Sequence, residues 1–356
     1  MRFLLSPLFS LLLFSWLNPT CSIPVSPDAS DKAGVLPAQP LLINSGKQSP
    51  QLQGQQDVQI PSTPQTVKSV EGGAPAPLIS DEQHYNASLM ATTPFPKWLH
   101  DFTGLNEWPG SEPPYIPLEF IDLNKIQKFS PRTFGTCNID RSSCSFDCFK
   151  CVSFDDVYSC PVFSQTFDDG PHPATIQLLN GLSHRTTFFT LGLNVVRYPE
   201  VYRLAQDKGH LMASHTWSHK FLPSLTNEQI IAQFEWSIWA MNATGHHLPK
   251  WYRPPYGGID DRVRQIARMF GMQAVLWDHD SFDWEMETTP PKRNKAKINA
   301  DVRRWKSEGK GGLLLEHDVY SSTVSSALSI AKILGPNQMT VAECVNSIDY
   351  IKEFDY

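Results

Sequence analysis

The chain has 356 residues and carries 30 Lys and Arg residues against 36 Asp and Glu residues, a formal net charge of −6. This length allows one large domain with an extension, or two smaller domains. The slight acidic excess gives no electrostatic reason to expect a nucleic-acid partner, because phosphate backbones attract basic surfaces.

The first 22 residues have the pattern of a secretory signal peptide. Arg2 precedes an apolar run over residues 3–17, and Thr20 and Ser22 are small residues that suit cleavage after Ser22. Pro7 interrupts the run, which is short for a membrane span, so a cleaved signal is favoured over a retained anchor. We find no later segment apolar enough to cross a bilayer, and the polar sequence IKEFDY argues against a lipid-anchor signal.

Three further segments follow. Residues 23–94 are rich in Pro, Ser, Gln and Ala without periodicity, which predicts a disordered or processed leader. Residues 95–159 contain Trp98, Trp108, the sequence PPYIP and a group of cysteines, which indicates an irregular, disulfide-tied extension packed on something larger. Residues 160–350 have the alternating pattern of an α/β domain.

Cysteine usage agrees with export. Six cysteines follow the signal, an even number that could form three disulfides: Cys137, Cys144, Cys148, Cys151, Cys160 and Cys344. The four clustered cysteines could instead hold zinc, as C-x₂-C knuckles do, but disulfides are favoured behind a secretory signal. Two sequons, at Asn86 and Asn242, are candidate glycosylation sites.

Strand and helix signals alternate after Cys160. FSQTF (163–167) and RTTFFTLG (185–192) predict strands, and PATIQLLNGL (173–182) between them predicts a helix that begins near Pro173. Thr226 and Gln229 form a capping box for a helix over 227–241, which Gly245 is expected to end.

The alternation continues to the end of the chain. DRVRQIARMF (261–270) predicts a helix that stops at Gly271, MQAVLWD (272–278) and GLLLEHD (312–318) predict strands, and SSALSIAKIL (325–334) predicts a helix. This order favours a mostly parallel sheet or barrel, in which functional sites lie at the carboxyl ends of the strands.

The sequence SHTWSH (214–219) is the first candidate for chemistry. His215 and His219 are four residues apart, so on a helical turn both imidazoles would point the same way and could share a metal ion. Two surface histidines would be the simpler interpretation of an isolated H-x₃-H. Asp169, beside Asp168 at the end of the first strand, adds a carboxylate. Two histidines and a carboxylate form an open metal site, for which zinc is the favoured occupant.

Three other segments have both a structural and a chemical interpretation. Arg253, in the loop WYRPPYGG (251–258), could hold a carboxylate bidentately or be a surface residue of a turn. DHDSFDW (278–284) is either an acidic loop with a packing tryptophan or a source of catalytic carboxylates. His317 ends the apolar run LLLEHD (313–318), where a single histidine is more often structural.

Taken together, the five segments resemble the five motifs of the polysaccharide deacetylases, the carbohydrate esterase family 4 enzymes that share the NodB homology domain. The matching blocks, in chain order, are TFDDGP, HTWSH, RPPY, DSFDW and LEH. Within this family the sequence is most similar to fungal chitin deacetylases, and the block with Trp108, PPYIP and CSFDCFKC resembles those of the yeast spore-wall enzymes. The resemblance implies a distorted (β/α) barrel with the disulfide-tied N-terminal extension.

The resemblance also implies roles for residues of the five motifs. Asp169, His215 and His219 would bind Zn²⁺, or another divalent ion such as Co²⁺. Asp168 would be the general base and would be held by Arg253. His317 would be the general acid, with its pKa tuned by Asp280, whereas Asp283 receives no separate role.

The remaining implied roles concern the substrate and the fold. The backbone amide of Tyr256 would help to hold the oxyanion, and Leu315 and Trp284 would line the pocket for the acetyl methyl group. Cys160 would pair with Cys344. His172, His246, His247 and His279 have no motif support and are interpreted as surface residues, although His279 lies inside the segment DHDSFDW (278–284).

The sequence therefore predicts a secreted, metal-dependent chitin deacetylase of the cell or spore wall, which acts on chitin and chitin oligosaccharides. Its products would be chitosan and acetate. A deacetylase for xylan or peptidoglycan is the alternative within enzymes. A silent chitin-binding wall protein is disfavoured, because a binder needs neither Asp168 nor His317. Histidines that respond to pH without a metal form a third class.

Overall fold

The computed structural model describes residues 93–128 and 130–355. The predicted signal peptide (1–22), nearly all of the predicted leader (23–94) and the sequon at Asn86 lie outside the described residues. None of the helices in the described ranges is long and apolar enough to cross a membrane.

The extension consists of short helices joined by irregular chain. Helix α1 spans Lys97–Thr103 and helix α2 spans Phe146–Phe149, with 3₁₀ turns at Leu123–Lys125 and Arg141–Ser143. Disulfides join Cys137 to Cys148 and Cys144 to Cys151. The four clustered cysteines therefore pair with one another, and the alternative of a zinc knuckle is wrong for this structure.

The described strands form one large sheet and one small one. In chain order they are β1 Phe163–Asp168, β2 Thr187–Thr190, β3 Leu211–Ser214, β4 His247–Pro249, β5 Trp251–Tyr252, β6 Gln273–Ala274, β7 His279–Asp280, β8 Gly312–His317 and β9 Tyr350–Glu353. The large sheet has the order β6–β5–β3–β2–β1–β8–β7, and all neighbouring pairs in it are parallel. Strands β4 and β9 form a separate antiparallel pair.

Helices connect most of the parallel strands, as parallel pairing requires, and two more follow the last of these strands. They are α3 Thr175–Gly181, α4 Gly192–Arg197, α5 Pro199–Asp207, α6 Asn227–Gly245, α7 Asp261–Met269, α8 Lys295–Ser307, α9 Ser321–Leu334 and α10 Val341–Cys344. Further 3₁₀ turns lie at Leu222–Ser224, Pro255–Gly257 and Asp283–Met286. The structure confirms the predicted (β/α) architecture with its disulfide-tied extension.

Both faces of the sheet are buried, which explains the continuous apolar runs in the strands. In β2, Phe188 packs with Phe167 and Met212 in a cluster that includes residues of the surrounding helices. Phe189, the next residue, packs instead with Ala213 in a second cluster. Successive side chains of a strand point to opposite faces, so β2 contributes one ring to each core.

The disulfide between Cys160 and Cys344 agrees with the pairing that the resemblance implies. Cys160 precedes β1 and Cys344 ends α10, so the bond ties the start of the domain to its last helix. Cys160 packs in the cluster that contains Phe189 and Leu313.

Two local predictions differ from the structure. The capping box at Thr226 is present and helix α6 ends at Gly245 as expected, but the left-handed residue that terminates it is His246 and not the glycine. The predicted strand over 272–278 pairs in the sheet only at Gln273–Ala274. At and beyond Ala274 the chain forms backbone hydrogen bonds with the extension. The amide of Val157 donates to the carbonyl of Ala274, and the carbonyl of Val157 accepts from the amide of Leu276.

Candidate active site

Polar side chains from four strands meet at the carboxyl edge of the large sheet. Asp168 is the last residue of β1 and is paired in register with His317, the last residue of β8. His215 follows β3, and Arg253 follows β5. The carboxyl ends of parallel strands are the usual location of a site in such sheets, as the sequence predicted.

Asp169, His215 and His219 form a buried group that could hold a metal ion, with one potential ligand atom from each lying within 4.8 Å of the others. Oδ1 of Asp169 lies 3.5 Å from Nε2 of His215 and 3.3 Å from Nε2 of His219. The two histidines lie in an irregular turn and not in the helical turn that their spacing suggested. Thr216 and His219 have positive φ angles of 71° and 61° in this turn.

The chemistry of these three side chains fits a divalent cation such as zinc. Nδ1 of His215 lies 2.8 Å from the carbonyl oxygen of Arg253, so its N–H donates there and leaves the lone pair of Nε2 facing Asp169. Oδ1 of Asp169 is buried and accepts no hydrogen bond within the described residues. Burial also lowers the pKa of His215 to about 3, which keeps the imidazole neutral, the form that binds metals.

The backbone of Asp169 positions its carboxylate beside the two histidines. Its φ is 80°, a left-handed conformation that turns its side chain away from the direction of Asp168. Its carbonyl oxygen accepts a hydrogen bond of 2.8 Å from Nδ2 of Asn194 in helix α4. Asn194 belongs to none of the five motifs, and no signal in the sequence singled it out.

Asp168 is paired with Arg253. Nη1 of Arg253 donates to Oδ1 of Asp168 over 2.8 Å and to the hydroxyl of Thr166 over 2.7 Å. The contact with the carboxylate involves this one nitrogen, so the bidentate geometry considered for Arg253 is wrong. Burial raises the pKa of Asp168, and the charge of Arg253 opposes that rise.

His317 is paired with Asp283 and not with Asp280. Its Nδ1 lies 2.7 Å from Oδ1 of Asp283, and its backbone amide donates to Oδ2 over 2.8 Å. Asp280 accepts instead from the amide of Phe282 and from the indole of Trp277. Burial alone would lower the pKa of His317, but Asp283, together with Asp169 and Asp168, outweighs it and raises that pKa to about 10. The structure thus corrects the expected partner.

The other expected site residues lie around this centre. Tyr256 has a positive φ of 61° in the turn Pro255–Gly257, and its ring lies edge-on to His219 at 4.5 Å. Leu315 is two residues before His317 in β8, so both side chains point to the same face of the sheet. Trp284 follows Asp283, whose carboxylate accepts its backbone amide. The contacts of these residues with a substrate stay predictions.

Two histidines without a motif differ from expectation or lie apart from the site. His247 is buried and not on the surface; its Nε2 lies 3.0 Å from the hydroxyl of Tyr202. His279 contacts Asp278, whose carboxylate accepts the amide of Leu313 near the start of β8. His279 is therefore held near the opposite end of β8 from His317.

Comparison with known proteins identifies relatives of this chain. A model of the polysaccharide deacetylase family matches residues 155–275. Chitin deacetylase 2 of Saccharomyces cerevisiae is 56% identical over 263 residues, which cover 74% of this chain and 84% of that protein. Chitin deacetylase 1 of the same yeast is 53% identical, and the match covers 74% of this chain and 87% of that protein.

A solved structure supports the same relationship. The chitin deacetylase from the fungal pathogen Colletotrichum lindemuthianum superposes with a TM-score of 0.50 at 25% identity, covering 56% of this chain and 96% of that one. From the ordered motifs, the parallel sheet and these similarities, we conclude that the chain belongs to the polysaccharide deacetylase family.

Proposed function

We propose that this protein is a metal-dependent chitin deacetylase, which hydrolyses the N-acetyl groups of N-acetylglucosamine units to give chitosan and acetate. The observation that carries the proposal is the meeting of Asp168, the group of Asp169, His215 and His219, and His317 at one edge of the sheet. The similarity to the two yeast chitin deacetylases supports chitin as the substrate class.

Asp169, His215 and His219 would hold the metal ion. When bound, a divalent ion of this kind polarises a carbonyl oxygen and lowers the pKa of water. Zinc suits the mixed nitrogen and oxygen donors, and Co²⁺ is a second candidate.

The chain's own residues supply the proton transfers. Asp168 accepts a proton from the water that attacks the acetamide carbonyl carbon, and Arg253 keeps the carboxylate in place. The backbone amide of Tyr256 donates a hydrogen bond to the oxygen that gains negative charge. His317, protonated because Asp283 raises its pKa, gives its proton to the departing sugar amine. The C–N bond breaks, and acetate and a free amine leave.

We also propose that the protein is secreted and acts in the cell or spore wall. Three disulfides agree with an oxidising compartment, and residues 1–22 have the pattern of a signal peptide. The domain boundaries proposed from the sequence are 95–159 for the extension and 160–350 for the catalytic domain.

An acetate assay tests the activity. The purified protein is incubated with chitin oligomers of graded length, with acetylated xylan and with peptidoglycan, each with zinc or with a chelator. We expect acetate from the chitin oligomers, loss of that acetate with the chelator, and its return when zinc is restored. No acetate from chitin oligomers of any length, with metal present, would disprove the proposal; release from another polymer alone would reassign the substrate.

A further inference from the structure

The turn between the two histidines, residues 215–219, contacts the extension directly, and we call it the ligand turn. Trp217, at its centre, is fully buried. Its indole Nε1 donates a hydrogen bond of 2.7 Å to the backbone carbonyl of Gly110. Its ring also stacks on Trp108 of the extension, with ring centroids 6.2 Å apart.

Ser111 and Glu112, which follow Gly110 in the extension, contact the ligand turn and the residue after it. The hydroxyl of Ser218 donates to the carbonyl of Ser111 over 2.6 Å. The ammonium of Lys220, which follows His219, lies 2.6 Å from the carboxylate of Glu112. Residues 110–112, which we call the clamp segment, thus contact three of the four residues 217–220.

The ligand turn needs such support because of its backbone. Thr216 and His219 are left-handed, which costs of order 1 kcal/mol or more for residues with a side chain. The turn is not a helix, so no ladder of helical hydrogen bonds holds its two ligands together. The amides of Gly192 and Leu193 bind the carbonyls of Thr216 and Trp217, and Gln233 of helix α6 bonds the amide and the hydroxyl of Ser218. The clamp segment adds the bonds to the indole of Trp217 and to the hydroxyl of Ser218.

We propose that the clamp segment positions His215 and His219 for metal binding, so that the extension is part of the metal site. This inference rests on the proposed metal site. The family model matches residues 155–275, and the clamp segment lies outside that match. The extension would then set the metal affinity of the catalytic domain, in the way that residues behind metal ligands commonly do.

Two tryptophans of this chain form a matched pair for the test. Trp236 in helix α6 is also fully buried, and its Nε1 donates to an extension carbonyl, that of Pro114, over 2.7 Å. Trp217→Phe and Trp236→Phe therefore remove the same kind of bond, but only the first removes it from the ligand turn. Zinc affinity is measured on the full chain by competition with a chromophoric chelator, and thermal unfolding is followed in parallel.

We expect Trp217→Phe to weaken zinc binding by about tenfold or more. Trp236→Phe should lower thermal stability comparably while zinc affinity stays at the wild-type value. Equal affinity losses in the two variants would overturn the clamp and leave the metal site standing. A wild-type protein that binds no zinc would overturn both.

A second pair covers the case in which Trp217→Phe does not fold. The side chain of Glu112 is 66% exposed, so Glu112→Lys is compatible with folding and sets like charges against Lys220. Glu107→Lys makes the same change at an exposed position of the extension. Weaker zinc binding in the first variant alone supports the clamp, whereas equal affinities overturn it.

Discussion

The two adjacent carboxylates at the end of β1 have different partners. Asp168 is still in the strand and points to Arg253, whereas Asp169 is left-handed and faces the two histidines. Two buried carboxylates side by side would each oppose the ionisation of the other. The guanidinium of Arg253 lies beside Asp168 and removes part of that cost, and a metal ion held by Asp169 would remove more of it.

The first prediction separates these two tasks. Asp168→Asn keeps an oxygen that can accept the hydrogen bond from Arg253 but cannot accept a proton from water. We expect acetate release to fall by about 10²- to 10⁴-fold, with zinc stoichiometry unchanged. Asp169→Asn is the matched variant, and it should lose zinc as well as activity. Near-normal turnover in Asp168→Asn would show that another group is the base.

The second prediction concerns the partner of His317. A general acid must be protonated, so activity is lost as the pH rises through the pKa of His317, which Asp283, with smaller contributions from Asp169 and Asp168, raises to about 10. Without that carboxylate, only the charges of Asp169 and Asp168 oppose the lowering by burial, so this pKa falls. We expect Asp283→Asn to move the alkaline limb of the pH–activity profile to lower pH by more than about one unit.

Asp280→Asn is the control for this shift, because Asp280 contacts Phe282 and Trp277 but makes no hydrogen bond to His317. Its alkaline limb should stay close to that of the wild type. If Asp280→Asn moved the limb and Asp283→Asn did not, the partner expected from the sequence would be restored.

These residues show where the sequence was sufficient and where it was not. The motifs indicated which residue types meet, since the ends of parallel strands lie together. They did not reveal which aspartate of DSFDW reaches His317, because that depends on the left-handed conformation of Phe282, which lies between the two aspartates. In the same way, the spacing of His215 and His219 suggested a helical turn. The actual turn has left-handed residues at Thr216 and His219, and because neither is a glycine, no residue type marked the turn in the sequence.

At the scale of elements, β1, β2 and β8 were predictable from the sequence, β6 was predicted longer than it is, and β5 and β7 were not predicted. β1, β2 and β8 are runs of buried residues, and their sequence alone indicates strands. β5, β6 and β7 have two residues each and owe their conformation to pairing with neighbours in the sheet. Their formation depends on tertiary contacts, which no local pattern records.

Helix α6 joins the extension to the domain through a buried carboxyl group. Oε1 of Glu235 accepts the amide of Ile116 over 2.9 Å, and Oε2 has no hydrogen-bond partner in the described part of the chain. Glu235 is fully buried, and burial raises its pKa to about 8. The carboxyl group is therefore neutral in the folded protein at neutral pH, although it would be ionised in an unfolded chain.

The third prediction follows from this raised pKa. Below about pH 4.5 the group is protonated in both states, and above about pH 8 it is ionised in both, so its contribution to stability is lost as pH rises between these values. Glu235→Gln keeps the bond to Ile116 and does not titrate. We expect the free energy of unfolding of the wild type, relative to this variant, to fall by more than about 1 kcal/mol from pH 4.5 to 8.5.

Urea unfolding of both proteins across this pH range measures the difference. Because every other titrating group is common to the two proteins, their subtraction isolates residue 235 where it acts independently. A difference that does not change with pH would show that Glu235 is ionised in the folded protein.

At the scale of the whole molecule, the extension and the last helix hold the sheet from opposite ends. The extension reaches the carboxyl edge at the ligand turn, where Gly110 accepts the indole of Trp217. The disulfide between Cys160 and Cys344 lies before β1 and so towards the amino edge. Contacts at the carboxyl edge should therefore govern the site, and the disulfide should govern global stability.

The fourth prediction tests this separation by removing the disulfide. Cys160 and Cys344 are 184 residues apart, so their bond restricts a large part of the unfolded chain. The double variant Cys160→Ser with Cys344→Ser should lower the free energy of unfolding by about 2 to 5 kcal/mol. Its zinc affinity and its turnover at a temperature where it is folded should stay at the wild-type values.

The pair Cys137 and Cys148 provides the comparison, because these residues are only 11 apart. The loop-entropy model gives a loss smaller by about 2.5 kcal/mol for this bond. Cys148 also lies in the extension, next to Asp147, which pairs with Arg132 beneath the ring of Phe221. For both double variants, denaturant unfolding measures the loss of stability and zinc competition measures the metal affinity. If opening the long loop weakened zinc binding as much as it lowered stability, the two edges of the sheet would be coupled and the separation would be wrong.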